Sequence, residues 1–135
     1  MTPALVLIVE DAPAVREMLT RSISRWGYRV VSAPTAESAV DMMSVEPAHV
    51  VLCDISLPGQ DGLWLAERLH ELWPHTAVVM ATGDTDVHAV LQSRRVGAVD
   101  YVVKPFAQAV LRQAVDRAAG RANFRPSVVR RNDSK

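Results

Sequence analysis

The sequence lacks most features that would mark a specialised class of protein. Among 135 residues there is one cysteine, Cys53. A single thiol closes no internal disulfide, and its place in an apolar run reads as a small buried hydrophobe of a reducing compartment. The four histidines, His49, His70, His75 and His88, are scattered, and no pair has metal-ligand spacing with Cys53, so they read as structural. No apolar run approaches the roughly 20 residues of a membrane span. No basic region precedes a long apolar stretch at the start, so no signal peptide is expected. Charge of one sign is also missing. Fifteen basic residues face fifteen acidic ones, and charged residues make up 22 %, which indicates neither disorder nor a nucleic-acid-coating protein. The expectation is a cytoplasmic protein with no membrane contact.

What is present is hydrophobic patterning. Apolar residues make up 49 % of a length that suits one core. Five short runs rich in Val, Ile, Leu and Ala, at residues 4–9, 28–33, 49–53, 76–81 and 99–103, read as strands. Most are apolar on both alternating faces, as a parallel sheet covered on both sides requires. Between them lie helical stripes. Val15, Met18, Leu19, Ser22, Ile23 and Trp26 precede Gly27, and Ala36, Ala39, Val40 and Met43 precede Pro47. Leu63, Ala66, Leu69 and Leu72 precede Pro74, and Val87, Val90 and Leu91 precede Gly97. Val110, Leu111, Ala114, Val115 and Ala118 fade near Gly120. Proline and glycine fall between elements. Met18, Met42 and Met43 read as core filler, and Trp64 and Trp73 as the buried face of a helix.

Five strand–helix alternations predict right-handed crossovers and a three-layer α/β domain: a doubly wound, five-stranded parallel sheet with five helices. The domain is expected over residues 1–120. Residues 121–135 read as a basic tail or linker: from Gly120 onward four Arg and one Lys face Asp133, 5 − 1 = +4.

Reactive groups of such sheets gather beyond the carboxyl ends of the strands. The first strand runs into Glu10-Asp11, the third into Asp54, the fourth into Thr82 and the fifth into Lys104-Pro105. Three carboxylates brought together require a cation, and oxygen-only ligands select a hard ion, Mg²⁺ above all where phosphate is involved. A Lys ammonium and a Thr hydroxyl suit phosphoryl oxygens. A carboxylate can be the nucleophile and form an acyl phosphate, and Asp54, placed centrally, is assigned that role. Each residue alone also has a plain structural role. Asp11, just before Ala12-Pro13, reads as a helix N-cap, Asp54 as a turn residue before Pro58-Gly59, Thr82 as loop and Lys104 as a solvated charge. Four strands each ending in a group that this chemistry needs argue for the joint reading.

With these motifs in view, the chain resembles the receiver domain of two-component response regulators, of the CheY-like superfamily. The resemblance covers about residues 4 to 120. It rests on Val-Leu-Ile-Val-Glu10-Asp11, Asp54-Ile-Ser-Leu-Pro58-Gly59-Gln-Asp61-Gly62, Met80-Ala-Thr82-Gly, and Gly97-Ala-Val-Asp-Tyr101-Val-Val-Lys104-Pro105-Phe106. The last two segments look most like receivers that precede DNA-binding modules in nitrogen regulators. The resemblance implies a flavodoxin-like strand order 2-1-3-4-5 and phosphorylation of Asp54 from a phosphohistidine of a sensor kinase or phosphotransfer protein. It implies Mg²⁺ on Asp11, Asp54 and the backbone carbonyl of Ser56, with Glu10 acting through water. Lys104 would contact the phosphoryl group and precede a cis peptide at Pro105. Thr82 and Tyr101 resemble the switch pair, Thr82 swinging toward the phosphoryl oxygen and Tyr101 turning inward. Ser56 and Asp84 resemble positions that tune dephosphorylation. Output is expected through the fourth helix, fifth strand and fifth helix, near Arg94, Arg95 and Tyr101. The readout is a protein–protein contact or a homodimer formed on phosphorylation, with no direct nucleic-acid contact from this chain.

Three other readings stand beside this one. A small phosphatase of the haloacid-dehalogenase type shares the Asp, Thr, Lys and Mg²⁺, but carries a second acid two residues after the nucleophile, where this sequence has Ser56, and a cap domain for which the chain has no room. A nucleotide- or flavin-binding module needs a glycine-rich turn after the first strand, where this chain has Glu10-Asp11-Ala12-Pro13. The third is a receiver piece of a longer DNA-binding regulator. On the main reading the chain is no enzyme beyond its own phosphorylation and dephosphorylation.

Overall fold

The structure, a computed structural model, describes residues 3–83 and 87–133. Strands and helices alternate along it: β1 Leu5–Val9, α1 Pro13–Arg25, β2 Arg29–Ala33, α2 Ala36–Val45, β3 Val50–Asp54, α3 Gly62–Leu72, β4 Ala77–Thr82, α4 Val87–Arg95, β5 Asp100–Val103 and α5 Gln108–Asp133. The five strands form one parallel sheet in the order β2-β1-β3-β4-β5.

Side chains of a strand alternate between faces, and that alternation sorts the core into two layers. Val6 and Ile8 of β1, Val50 and Leu52 of β3, and Ala77, Val79 and Ala81 of β4 point toward α1 and α5, where they bury Leu19, Ile23, Leu111, Ala114, Val115 and Ala118. The intervening Leu5, Leu7, Val9, Val51, Cys53, Val78 and Met80 point toward α2 and α3 and bury Ala36, Ala39, Met43, Leu65, Ala66 and Leu69. Full burial of one such Leu or Ile is worth about 1.5–3 kcal/mol, so both faces hold the sheet in place. Met18, Met42, Trp64 and Trp73 are partly buried against these layers and Met43 fully.

Local chemistry sets the helix starts. At α2, Thr35 Oγ1 accepts from Ser38 N at 3.0 Å and Thr35 N donates to Ser38 Oγ at 3.3 Å, a reciprocal cap. At α3, Asp61 Oδ1 accepts from Trp64 N at 2.9 Å. The start of α1 differs: its N-cap is Ala12, with Pro13 opening the helix and no side-chain cap bond. The plain reading of Asp11 as the cap is therefore corrected. The helix opens on Pro13, one residue past the Ala12 cap, and the Asp11 carboxylate takes no part in capping it. The fifth helix runs to Asp133, beyond the Gly120 at which its apolar stripe fades. His49 is structural, its Nδ1 accepting from Leu5 N at 2.9 Å. No helix among the described residues is long and apolar enough to cross a membrane.

Candidate functional site

All five strands run the same way, so their carboxyl ends share one edge. The register then places the polar residues. Val9 pairs with Cys53, Asp54 with Ala81, and Thr82 with Val103, so Glu10 lies beside Asp54, and Lys104 follows the end of β5. Parity completes the arrangement. Glu10 continues the alternation of Val6 and Ile8, Asp54 that of Val50 and Leu52, and Lys104 that of Val102, all on the α1/α5 side. Residues 44 and 50 positions apart in the chain thus converge.

Lys104 Nζ donates to Asp54 Oδ2 at 2.8 Å and to Glu10 Oε1 at 2.9 Å. Asp54 Oδ1 accepts from Ser56 N at 3.1 Å, and Glu10 Oε2 from Ala12 N at 3.1 Å. Two acids only 3 % and 8 % exposed are thereby hydrogen-bonded at both oxygens, as buried carboxylates must be. Burial pulls the Lys104 ammonium toward deprotonation, but its hydrogen bonds to Asp54 and Glu10 and their charges outweigh that, and its pKa ends above the ordinary lysine value. Asp11 is exposed at the rim. One carboxylate oxygen from each of Glu10, Asp11 and Asp54 lies within 4.8 Å of the others.

Charge counting shows what the cluster can take up. Three carboxylates facing one ammonium leave −3 + 1 = −2. The Arg16 guanidinium, which donates to Glu10 O at 2.8 Å and reaches Asp11 O at 3.5 Å, reduces this by one. The donors facing the gap are all oxygens. In an octahedral hard ion with bonds of about 2.0–2.1 Å, cis ligands stand about 2.9 Å apart and trans ligands about 4 Å. Two of these carboxylates would therefore draw inward to bind one directly while the third reached it through water.

Sequence reasoning overlooked two supports. Arg16 ties the β1–α1 turn by the carbonyls just described. Gly62 lets α3 begin against the chain leaving β3: a Cβ there would stand 2.3 Å from Asp54 O and 2.8 Å from Ile55 Cα. Gly62 N also donates to Ile55 O at 2.9 Å. The signal available was the glycine directly after the capping Asp61, with no role attached to it. The direct Lys104–Glu10 contact was likewise unforeseen.

Thr82 is buried at the end of β4, and its carbonyl accepts from Lys104 N at 2.7 Å. The Lys104–Pro105 bond is cis. Tyr101 is 40 % exposed and turned outward on β5. Asp84 lies outside the described residues. Cys53, fully buried beside Asp54, has its thiol pushed up by burial and by the charges of Asp54, Asp61 and Glu10, which makes it a poor nucleophile.

Comparison with known proteins agrees with this geometry. Residues 6–116 match the family described as response regulator receiver domain. The response regulator protein FleR of Pseudomonas aeruginosa is 35 % identical over 116 residues, 86 % of this chain and 24 % of that protein. The positive alginate biosynthesis regulatory protein of the same organism is 38 % identical over 117 residues, 84 % of this chain and 46 % of that protein. This chain thus spans a quarter to a half of the length of these curated relatives. Among solved structures, a CheY-like receiver domain protein of Methanospirillum hungatei superposes with a TM-score of 0.85 at 27 % identity, covering 90 % of this chain and 98 % of that one. NtrX of Brucella abortus superposes with a TM-score of 0.88 at 28 % identity, covering 95 % of this chain and 30 % of that one. With the match extending over most of its length, this chain belongs to the response-regulator receiver domain family of two-component signalling.

Proposed function

We propose that Asp54 is the phosphoacceptor, taking a phosphoryl group from a phosphohistidine on a sensor kinase or phosphotransfer protein. One observation carries the reading: the Asp54 carboxylate is held between Lys104 Nζ and Ser56 N, within reach of two further acids. In the reaction an Asp54 oxygen bonds to phosphorus as the donor's P–N bond breaks, and the imidazole keeps the electron pair and takes a proton. The protein's contribution is positioning and neutralisation of charge rather than covalent help. Lys104, already at the nucleophile, shifts from carboxylate to phosphoryl oxygen. Asp11, Asp54 and the Ser56 carbonyl are the residues that would hold Mg²⁺, with Glu10 reaching it through water. When bound, the ion supplies positive charge for the phosphoryl oxygens. Thr82 donates its hydroxyl to the new phosphoryl group, and Tyr101, now outward, follows inward. The output face is α4, β5 and α5, where Leu91, Tyr101 and Val110 are exposed; a downstream protein or a second copy docks there. The protein works in the cytoplasm.

The test is incubation with a small phosphodonor and Mg²⁺, followed by intact mass. Wild type gains one phosphoryl group and Asp54→Asn gains none. Uptake by the variant, or none by wild type, overturns the assignment. Rapid, continuous hydrolysis of p-nitrophenyl phosphate would favour a true phosphatase. A second reading, that this chain is the receiver piece of a longer DNA-binding regulator with residues 121–135 as linker, is favoured by the greater length of its relatives. These include the DNA-binding transcriptional regulator NtrC of Klebsiella pneumoniae, matched over 118 residues that make up 25 % of it.

A further inference from the structure

The arginines of the described surface are unevenly paired. Arg21, Arg29, Arg68, Arg112 and Arg117 each have a carboxylate within 3.8 Å, and Arg16 is committed to the β1–α1 turn. Among the described residues, no carboxylate pairs with Arg25, Arg94, Arg95 or Arg121. Two of these four share one concavity. Arg94, from the last turn of α4, and Arg121, from α5, line a pocket of about 360 Å³ with His70 from the end of α3, and no Asp or Glu lines it.

That pocket lies where α3 and α4 end and β5 begins, at the end of the domain away from the acidic cluster. Its volume falls in the range of small-molecule sites. The dipole of α4 accounts for basic residues at its C-terminus, but not for Arg121, which belongs to another helix. The imidazole lies close against the backbone at Gly97, whose φ is +94°: a Cβ there would stand 3.0 Å from His70 Nδ1. Backbone donors around the pocket are already used, Gly97 N by Arg94 O at 3.1 Å and Ala98 N by Ser93 O at 3.0 Å. The Thr76 hydroxyl donates to Ala48 O at 2.7 Å. The free donors are therefore the two guanidinium forks and the imidazole. Asp100, which lines an adjoining pocket with Arg94, is committed to Arg117 at 2.6 Å and to Tyr101 N at 2.9 Å.

Two guanidinium forks from different helices suit a ligand with several acceptor oxygens and more than one negative charge. We propose that the pocket formed by His70, Arg94 and Arg121 binds a phosphate group, as inorganic phosphate, pyrophosphate or the phosphate end of a nucleotide. This site is separate from the acidic cluster and does not depend on the phosphoacceptor reading. A ligand there joins the C-terminal ends of α3 and α4 to the middle of α5.

The test is a heteronuclear NMR titration of the full chain in EDTA, so that no metal carries phosphate to the acidic cluster. Inorganic phosphate, pyrophosphate and a nucleoside diphosphate are separate probes, with chloride as control at an ionic strength of about 0.15 M. Expected are saturable shifts of the Gly97 and Ala98 amides and of the Arg94 and Arg121 Nε–H signals. Arg94→Gln and Arg121→Gln each weaken binding by about tenfold or more, whereas Arg25→Gln leaves it unchanged. Both positions are exposed, so folding is retained, and an unchanged thermal midpoint checks this. The probe bound tightest identifies the source of the phosphate. Shifts that chloride reproduces, that spread equally to Arg25 and Arg95, or that survive both substitutions overturn the proposal.

Discussion

Removing the Lys104 ammonium tests the electrostatic account of the acidic cluster most directly. In Lys104→Met the apolar stem is kept as far as Cε, but Glu10 and Asp54 lose the cation that both contact. Each charge-assisted hydrogen bond is worth about 1.5–3 kcal/mol. The Lys104 side chain is 26 % exposed, while those of Glu10 and Asp54 are 4 % and 10 % exposed. Part of the interaction is therefore screened, and the expected loss is about 2–4 kcal/mol. That is a large share of the roughly 5–15 kcal/mol available to a domain, and it lowers the melting midpoint by on the order of 10 °C. Urea unfolding in EDTA at neutral pH measures it. Mg²⁺ then acts in the opposite direction. A ligand at about 100 times its dissociation constant adds about 2.7 kcal/mol, and the increment is larger in the variant because the ion no longer competes with the ammonium. The alkaline limb adds a sign check. The folded pKa of Lys104 is raised, so its contribution is complete below its ordinary value of 10.5 and is lost as pH climbs through the folded value. Wild type therefore loses this contribution above that pH and the variant does not. A variant as stable as wild type in EDTA, with the same gain from Mg²⁺, would refute the reasoning.

Three further outcomes follow from the same geometry. Asp11→Asn removes one of three clustered charges from an exposed position, so the metal-free protein gains about 0.5–1 kcal/mol in urea unfolding, while its Mg²⁺ affinity, measured by calorimetry, falls about tenfold or more. Gly62→Ala drives a Cβ toward Asp54 O, 2.3 Å away in the present backbone; it costs about 1–3 kcal/mol and slows phosphodonor uptake by displacing Asp54. Cys53 stays unmodified by a thiol reagent in the native protein and reacts at the rate of unfolding, because burial and three neighbouring carboxylates oppose its thiolate; rapid native-state labelling would contradict the buried placement.

The layered fold was legible because its strands are apolar on both faces. Leu5 to Val9 and Val50 to Cys53 leave no solvated side, and only a parallel sheet covered by helices accommodates such runs. Strand limits differed from the sequence reading by about a residue, as at β4, where Thr76 is excluded and Thr82 included. The convergence of Glu10, Asp11 and Asp54 was readable from strand ends alone. What resisted reading depends on contacts between distant segments or on free space. The Lys104–Glu10 bond joins residues 94 positions apart, and no local pattern announces it. The close approach at Gly62 is a property of packing. The helix past Gly120 has no apolar stripe to reveal it. Asp11 shows how a local pattern can mislead when read singly: Pro two residues on suggests a cap, but the cap is Ala12, and it was the joint pattern of strand ends that set Asp11 apart.

The two-residue rhythm that brings Glu10, Asp54 and Lys104 to one side carries a rule for how this chain tolerates insertions and deletions. Lengthening the loops after α1, α2 or α3 leaves every reactive group in place. Adding or deleting one residue inside β1 or β3 sends the terminal carboxylate to the opposite layer, toward α2 and α3, and drives half of that strand's aliphatic side chains out of their own layer. Length variation is therefore confined to the connections, while the strands act as counted rulers whose final mark is the reactive group.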